Sequence, residues 1–98
     1  MTLEVVFLRA ARAEFDSAAL RYDLQRAGLG MQFVSEINRV IDLASTYPER
    51  FPIKHLEIRC VQVRRFPYSV YFRSEPTRIV VLSVFHARRN PTIWQERA

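Results

Sequence analysis

Three runs of β-branched and aromatic residues crowd the second half of the chain, Ile58–Phe66, Tyr68–Arg73 and Arg78–His86, with almost nothing between them. A parallel crossover needs a dozen or more residues. Here Phe66-Pro67 supplies only a bend, and Ser74-Glu75-Pro76-Thr77 only a turn, so the three runs are predicted to lie side by side as antiparallel strands. In the last run Val80, Leu82 and Val84 fall on one face, and Ile79, Val81, Ser83 and Phe85 on the other. A strand that is apolar on both faces belongs in the middle of a sheet covered on both sides.

The first half supplies the cover. Leu3–Leu8 (LEVVFL) is a short apolar run with the composition of a strand buried on both faces, within or beside the sheet. Ala11, Phe15, Ala18 and Tyr22 then recur at helical spacing among charged neighbours. Gly28 and Gly30 stop that helix and open a second, whose stripe is Phe33, Ile37, Val40, Ala44 and Tyr47 and which Pro48 ends. Pro52–Glu57 reads as irregular, and Pro91–Ala98 as a tail with room for a helical turn. The expected fold is α+β: a single domain over residues 1–98, ordered β-α-α-β-β-β, with a helical hairpin packed on a mainly antiparallel sheet. Its 98 residues suffice for one small core.

Composition excludes several classes. Apolar residues are 49% and charged residues 26%, with only 2 glycines, so disorder and long flexible linkers are not expected. The one cysteine, Cys60, has no partner for a disulfide and no Cys/His set at zinc spacing, which fits a reducing cytoplasm and a small buried hydrophobe; neither a metal nor a cofactor is expected. The apolar run Ile79–Phe85 is too short to span a bilayer, and no signal-like start precedes it, so no membrane association is expected.

Charge is uneven. Residues 1–49 carry five Arg against seven Asp/Glu, whereas residues 50–98 carry ten Lys/Arg against three Glu. A basic half of this kind suits a polyanion, either nucleic acid or an acidic protein segment. All the basic residues but Lys54 are arginine, a bias that bidentate anion binding and a GC-rich genome would produce alike.

The opening strand, the helical hairpin running into YPERFP, the segment RRFPYSVYFR and the closing IVVLSVFHARRNPTIW together resemble the RelE/ParE toxins of bacterial type II toxin-antitoxin systems, ParE-like members more than the RelE branch. The resemblance implies a growth-inhibiting toxin held inactive by a small acidic cognate antitoxin, with operator DNA met only through the complex of the two. It implies one of two targets. ParE-like members poison DNA gyrase; RelE-like members are ribosome-dependent, metal-independent endoribonucleases, or mRNA interferases. A non-toxic nucleic-acid or protein binding module is a third reading.

For cleavage, a base must deprotonate the 2'-hydroxyl, a cation must stabilise the phosphorane, and an acid must protonate the leaving oxygen. The residues available are His86 as acid or base, with Arg65, Arg88 and Arg89 as phosphate clamps and Lys54 as another cation; of these, His86, Arg65 and Arg89 are the catalytic candidates. RelE-branch nucleases that use lysines and a C-terminal tyrosine are poorly matched, since Lys54 is the sole Lys and no Tyr follows Tyr71. For target or antitoxin binding, the candidates are Lys54, Arg65, Arg88, Arg89, Leu20 and Leu24. Each has a bland counterpart. His86 at a strand end also suits a structural histidine, Arg65 a cross-sheet ion pair, Trp94 a lid on the core in place of a base-stacking platform, and Leu20 and Leu24 ordinary exposed leucines. Arg88 and Arg89, adjacent and just past a strand, have little expected structural need for charge.

Overall fold

The computed structural model describes residues 2–98. Strand β1 (Glu4–Phe7) leads into helices α1 (Arg9–Gln25) and α2 (Leu29–Thr46); one 3-10 turn (Pro48–Arg50) then precedes β2 (Ile53–His55), β3 (Ile58–Gln62), β4 (Tyr68–Ser74), β5 (Arg78–His86) and a last helical turn, α3 (Thr92–Gln95). The five strands form one sheet in the order β1-β5-β4-β3-β2, antiparallel except where β1 runs parallel to β5. The α+β architecture, the helical hairpin and the central β5 are as the sequence indicates.

The hairpin turns on two glycines with different duties. Gly28 sits at φ +89°, where a side chain would be strained. Gly30 lies within the first turn of α2, where an added Cβ would stand 2.5 Å from the Ala19 carbonyl oxygen and 2.9 Å from the Asp23 Cβ. Only glycine lets the two helices approach so closely. Asp23 in turn accepts hydrogen bonds at Oδ1 from the Gly28 and Gly30 amides, at 2.9 and 3.3 Å, satisfying donors that the start of α2 would otherwise leave open.

Each face of β5 is buried. Ile79, Val81 and Val84 join Phe15, Phe33, Ile37 and Phe72 beneath the helices, while Val80, Leu82 and Phe85 pack with Ile58 and Trp94 on the opposite face. Strict alternation would have put Val84 with Leu82 and left Phe85 with Val81. The pairing explains the exchange: Tyr71 opposes Ser83 but Phe72 opposes Val81, so Leu82 is an extra, bulged residue and the pleat shifts by one.

Other boundaries moved for equally local reasons. β1 is an edge strand paired on one side only, with Glu4 exposed and the rest half-buried, so the expectation of burial on both faces is not met. The segment expected to be irregular contains β2, a three-residue bulged edge strand in which Ile53 and His55 find partners on β3 and Lys54 does not. β3 ends at Gln62 instead of Phe66, because Arg65 adopts φ +70° and the Val63 amide closes the loop onto the Tyr68 carbonyl at 3.0 Å. Tyr47 leaves the apolar stripe of α2: it lies past the helix end, 43% exposed, with the Arg50 guanidinium 3.9 Å over its ring.

Candidate functional site: a cleft beside the first helix

A cleft of about 390 Å³ lies between α1 and the paired ends of β4 and β5, lined by Ala13, Glu14, Ser17, Arg21, Tyr68, Val84, His86 and Arg89. Its origin is a mismatch in strand length. β1 accompanies β5 only as far as the Phe7–Val81 pair, with the Leu8 amide reaching the Val81 carbonyl. Beyond that point the outer edge of β5 has backbone groups and no strand to meet them. An unpaired buried amide or carbonyl costs free energy comparable to a lost hydrogen bond.

Two side chains complete the edge. Glu14 Oε1 accepts from the Val84 amide at 3.2 Å and from the Ser83 hydroxyl at 2.8 Å, and Arg97 Nη1 donates to the Leu82 carbonyl at 3.0 Å. Arg97 also grips Glu14 with both terminal nitrogens, at 2.9 and 3.1 Å, and Arg89 Nη1 reaches Oε2 at 2.7 Å. Five hydrogen bonds thus converge on one carboxylate whose side chain is 13% exposed. Burial pushes its pKa up, but the bonds from Arg97, Ser83 and Arg89 outweigh that and hold it below the usual carboxylate range. Glu14 is therefore ionised at neutral pH with its oxygens occupied, which makes it a fastener and not a proton donor.

The other wall is different. Arg21 of α1 donates from Nη1 to the Ser17 hydroxyl and from Nη2 to the Tyr68 hydroxyl, both at 3.0 Å, and no carboxylate lies within ion-pair distance of it among the described residues. Tyr68 is held in place by rings on three sides: Phe33 at 5.0 Å, Tyr22 at 6.2 Å and His86 at 5.1 Å between centroids. His86 accepts the Arg88 amide at Nδ1 (3.0 Å), which puts the proton of its neutral ring on Nε2.

The sequence-predicted residues are only partly brought together. His86 and Arg89 share the cleft; Arg88, next to them, is exposed. Lys54 stands on the far edge of the sheet, with β3 and β4 between its strand and β5, so it cannot join them. Arg65 is exposed in the β3–β4 connection and lines no part of the cleft. Leu20 and Leu24 project from α1 at 62% and 78% exposure. Arg89 corrects the expectation that the charge past β5 has no structural use: besides the Glu14 pair, its guanidinium lies 4.9 Å over the Phe85 ring. Glu14, Ser17, Arg21, Tyr68 and Arg97 escaped the sequence reading. Glu14 did carry a signal, being a carboxylate on the half-buried side of α1 next to Phe15.

On the opposite face of the sheet, Trp94 stacks on Tyr71 with centroids 3.9 Å apart and planes 13° apart, and it is buried against Ile58, Val80, Leu82 and Phe85. Trp94 is thus a lid on the second core. Burial, with the neighbouring Cys60 thiol adding to it, leaves the Tyr71 hydroxyl with a pKa pushed up to about 12, so it stays protonated at neutral pH. Among the described residues no group of His, Cys, Asp and Glu could hold a metal ion, and no helix is long and apolar enough to cross a membrane.

The family model for the ParE toxin of the parDE type II toxin-antitoxin system matches residues 5–91, from β1 to the start of α3. The chain belongs to the ParE toxin family. No curated protein sequence matches it. Among solved structures it resembles a chain of a chromosomal ParDE toxin-antitoxin system from P. aeruginosa, at a TM-score of 0.76 and 18% identity, over 89% of this chain and 98% of that one. At that identity the likeness shows the fold. Membership in the ParE family makes this chain a toxin component whose system includes an antitoxin partner.

Proposed function

We propose that this ParE-family toxin arrests bacterial growth by binding and poisoning DNA gyrase in the cytoplasm, and that a cognate acidic antitoxin neutralises it. The observation that carries the reading is the saturation of Glu14. The cleft has donors and cations in number, but its one carboxylate is locked among Arg89, Arg97, Ser83 and Val84 and cannot exchange protons with a substrate. Tyr71, the last tyrosine in the chain, is equally unsuited, being half-buried and stacked on Trp94 on the opposite face of the sheet, with its hydroxyl pKa pushed up to about 12. What remains is a binding surface. On this reading Arg21, Arg88 and the free side of Arg89 meet target or antitoxin, with Arg65, Lys54, Leu20 and Leu24 contributing at separate points. Operator DNA would be met through the antitoxin complex.

One observation favours the mRNA-cleaving alternative: His86 lies in the same cleft as Arg21, Arg89 and Tyr68. The two readings part cleanly. Purified protein is expected to impair supercoiling or trap cleaved DNA with gyrase, and to add no cuts to messenger RNA on translating ribosomes; the reverse pattern selects the nuclease. His86→Ala is expected to keep the gyrase effect and lower stability by about 1 kcal/mol, the worth of one hydrogen bond and a ring contact. Loss of an mRNA-cleaving activity in that variant, with binding unchanged, would show that His86 does chemistry.

A further inference from the structure

The end of the sheet where β4 begins and β5 closes carries donors and cations without acceptors to match. Tyr68, 6% exposed, accepts from Arg21 at the cleft wall, and its own hydroxyl hydrogen has no acceptor among the described residues. Ser17 likewise accepts from Arg21, so its hydrogen is also spare. His86 keeps a donor at Nε2, and Arg21 keeps its unused N–H groups. The cleft's one carboxylate, Glu14, already serves two arginines. A cavity made of donors with a surplus of positive charge is complementary to an oxyanion.

Further cations continue the charge beyond the cleft rim. Tyr68 and His86 are paired across β4 and β5, and the Ala87 amide donates to the Pro67 carbonyl at 2.8 Å. Arg65 and Arg88 therefore leave the sheet at the same end, both exposed. The Tyr22 ring packs 4.9 Å from that of Phe66, which brings the close of α1, and with it the exposed Arg26, to this end as well. Among the described residues none of Arg21, Arg26, Arg65 and Arg88 has a carboxylate within ion-pair distance. The flanking carboxylates are engaged elsewhere: Asp23 accepts from the Gly28 and Gly30 amides, and Glu36 from the Arg39 guanidinium and the Arg64 amide.

The chemistry chooses among polyanions. Arginines at separate points along one rim suit charges that repeat along a chain, as phosphates do. Single-stranded nucleic acid is held by bases stacked on free aromatic rings, but here Tyr22, Phe33, Phe66 and Tyr68 pack on one another and are spent on the core. We infer that this end of the molecule is a site for the sugar-phosphate backbone of duplex DNA. One phosphate enters the cleft toward Arg21, Ser17, Tyr68 and His86, and Arg26, Arg65 and Arg88 meet the phosphates on either side. Backbone contacts carry no base sequence, so the site is distinct from operator recognition. The inference rests on the gyrase reading above for the source of the DNA, and it makes the toxin a contact of that DNA as well as of the enzyme.

The test uses the full chain alone, with fluorescence anisotropy of a short labelled DNA duplex and of a single strand of the same length. The duplex is expected to bind more tightly, and log affinity to fall against log salt with a slope of about −3 to −4, the counterion release of four phosphate contacts. Arg21→Glu, and Arg65→Glu combined with Arg88→Glu, should each weaken binding at least tenfold and flatten that slope, with melting temperatures close to wild type. Arg50→Glu makes the same change of charge, but Arg50 lies past the far end of α2, whose 18 residues span about 27 Å, so its affinity should stay within twofold of wild type. Failure of the wild-type chain to bind the duplex at low salt would overturn the inference, as would a tighter grip on the single strand. So would affinities within twofold of wild type for the folded Arg21 and Arg65/Arg88 variants, or a loss at Arg50→Glu equal to that at Arg21→Glu. Inhibition of gyrase supercoiling is scored apart: DNA binding without it keeps the site and removes the gyrase reading, whereas inhibition by a chain that binds no DNA does the reverse.

Discussion

Two walls of one cleft treat arginine in opposite ways. On the wall formed by the end of β5 and the tail, Arg89 and Arg97 share the Glu14 carboxylate, and Arg97 also holds the Leu82 carbonyl. On the α1 wall, Arg21 has only neutral hydroxyl partners, and its charge is uncompensated. The difference lies in what each wall must repair. β1 stops short, so the outer edge of β5 needs side-chain partners, whereas an α-helix satisfies its own backbone and leaves its surface arginines free. Basic residues in the same cleft therefore divide into fasteners and available ligands, a division that net charge cannot make.

The strongest way to break this contrast is to remove the fastener. Glu14→Ala leaves two arginines, an amide and a hydroxyl without their acceptor, and it is expected to cost about 2–4 kcal/mol, which for a domain of this size lowers the melting temperature by roughly 10–20 °C. Urea unfolding followed by circular dichroism measures it. A loss under 1 kcal/mol would mean that the carboxylate does not hold the edge.

Acid sharpens the same point. Because the folded-state pKa of Glu14 is depressed, its contribution is fully present above the ordinary glutamate value of about 4.3 and is lost as pH falls through the lower folded value. Wild type should therefore lose more stability than Glu14→Gln over that acid range, and the two curves should converge at its lower end. Glu36 and Glu75, also held low, chiefly by hydrogen bonds from Arg39 and from Arg78 with Arg73, are common to both proteins and cancel. Parallel curves would show that Glu14 gains nothing from its arginines.

The smallest effects rank the arginines themselves. Arg97→Ala, removing three bonds from a side chain 19% exposed, should cost about 1.5–3 kcal/mol. Arg89 is 40% exposed, so screening reduces Arg89→Ala to about 0.5–1 kcal/mol. Arg88→Ala and Arg21→Ala should stay within about 0.5 kcal/mol of wild type. Equal losses at Arg21 and Arg97, read from the same unfolding curves, would erase the distinction between the walls.

Local pattern alone determined a large share of this molecule. The bounds of β5 follow from a nine-residue run with no breaker, the antiparallel return of β3, β4 and β5 from links too short for a crossover, the buried stripes of α1 and α2 from the helical period, and the hairpin from Gly28. The family resemblance rested on the same segments. These are short-range properties: period, turn chemistry and link length act within a few residues. Tertiary structure alone decided the rest. β1 was placed at an edge because it pairs with a strand more than seventy residues away. The Leu82 bulge, visible only in the pairing with β4, exchanged the faces of Val84 and Phe85. Glu14 meets Arg97 across 83 residues of chain, and Arg21 meets Tyr68 across 47. No spacing rule links such residues, because the sheet and the helix packing bring them together and their partners follow from which backbone groups the short β1 leaves uncovered.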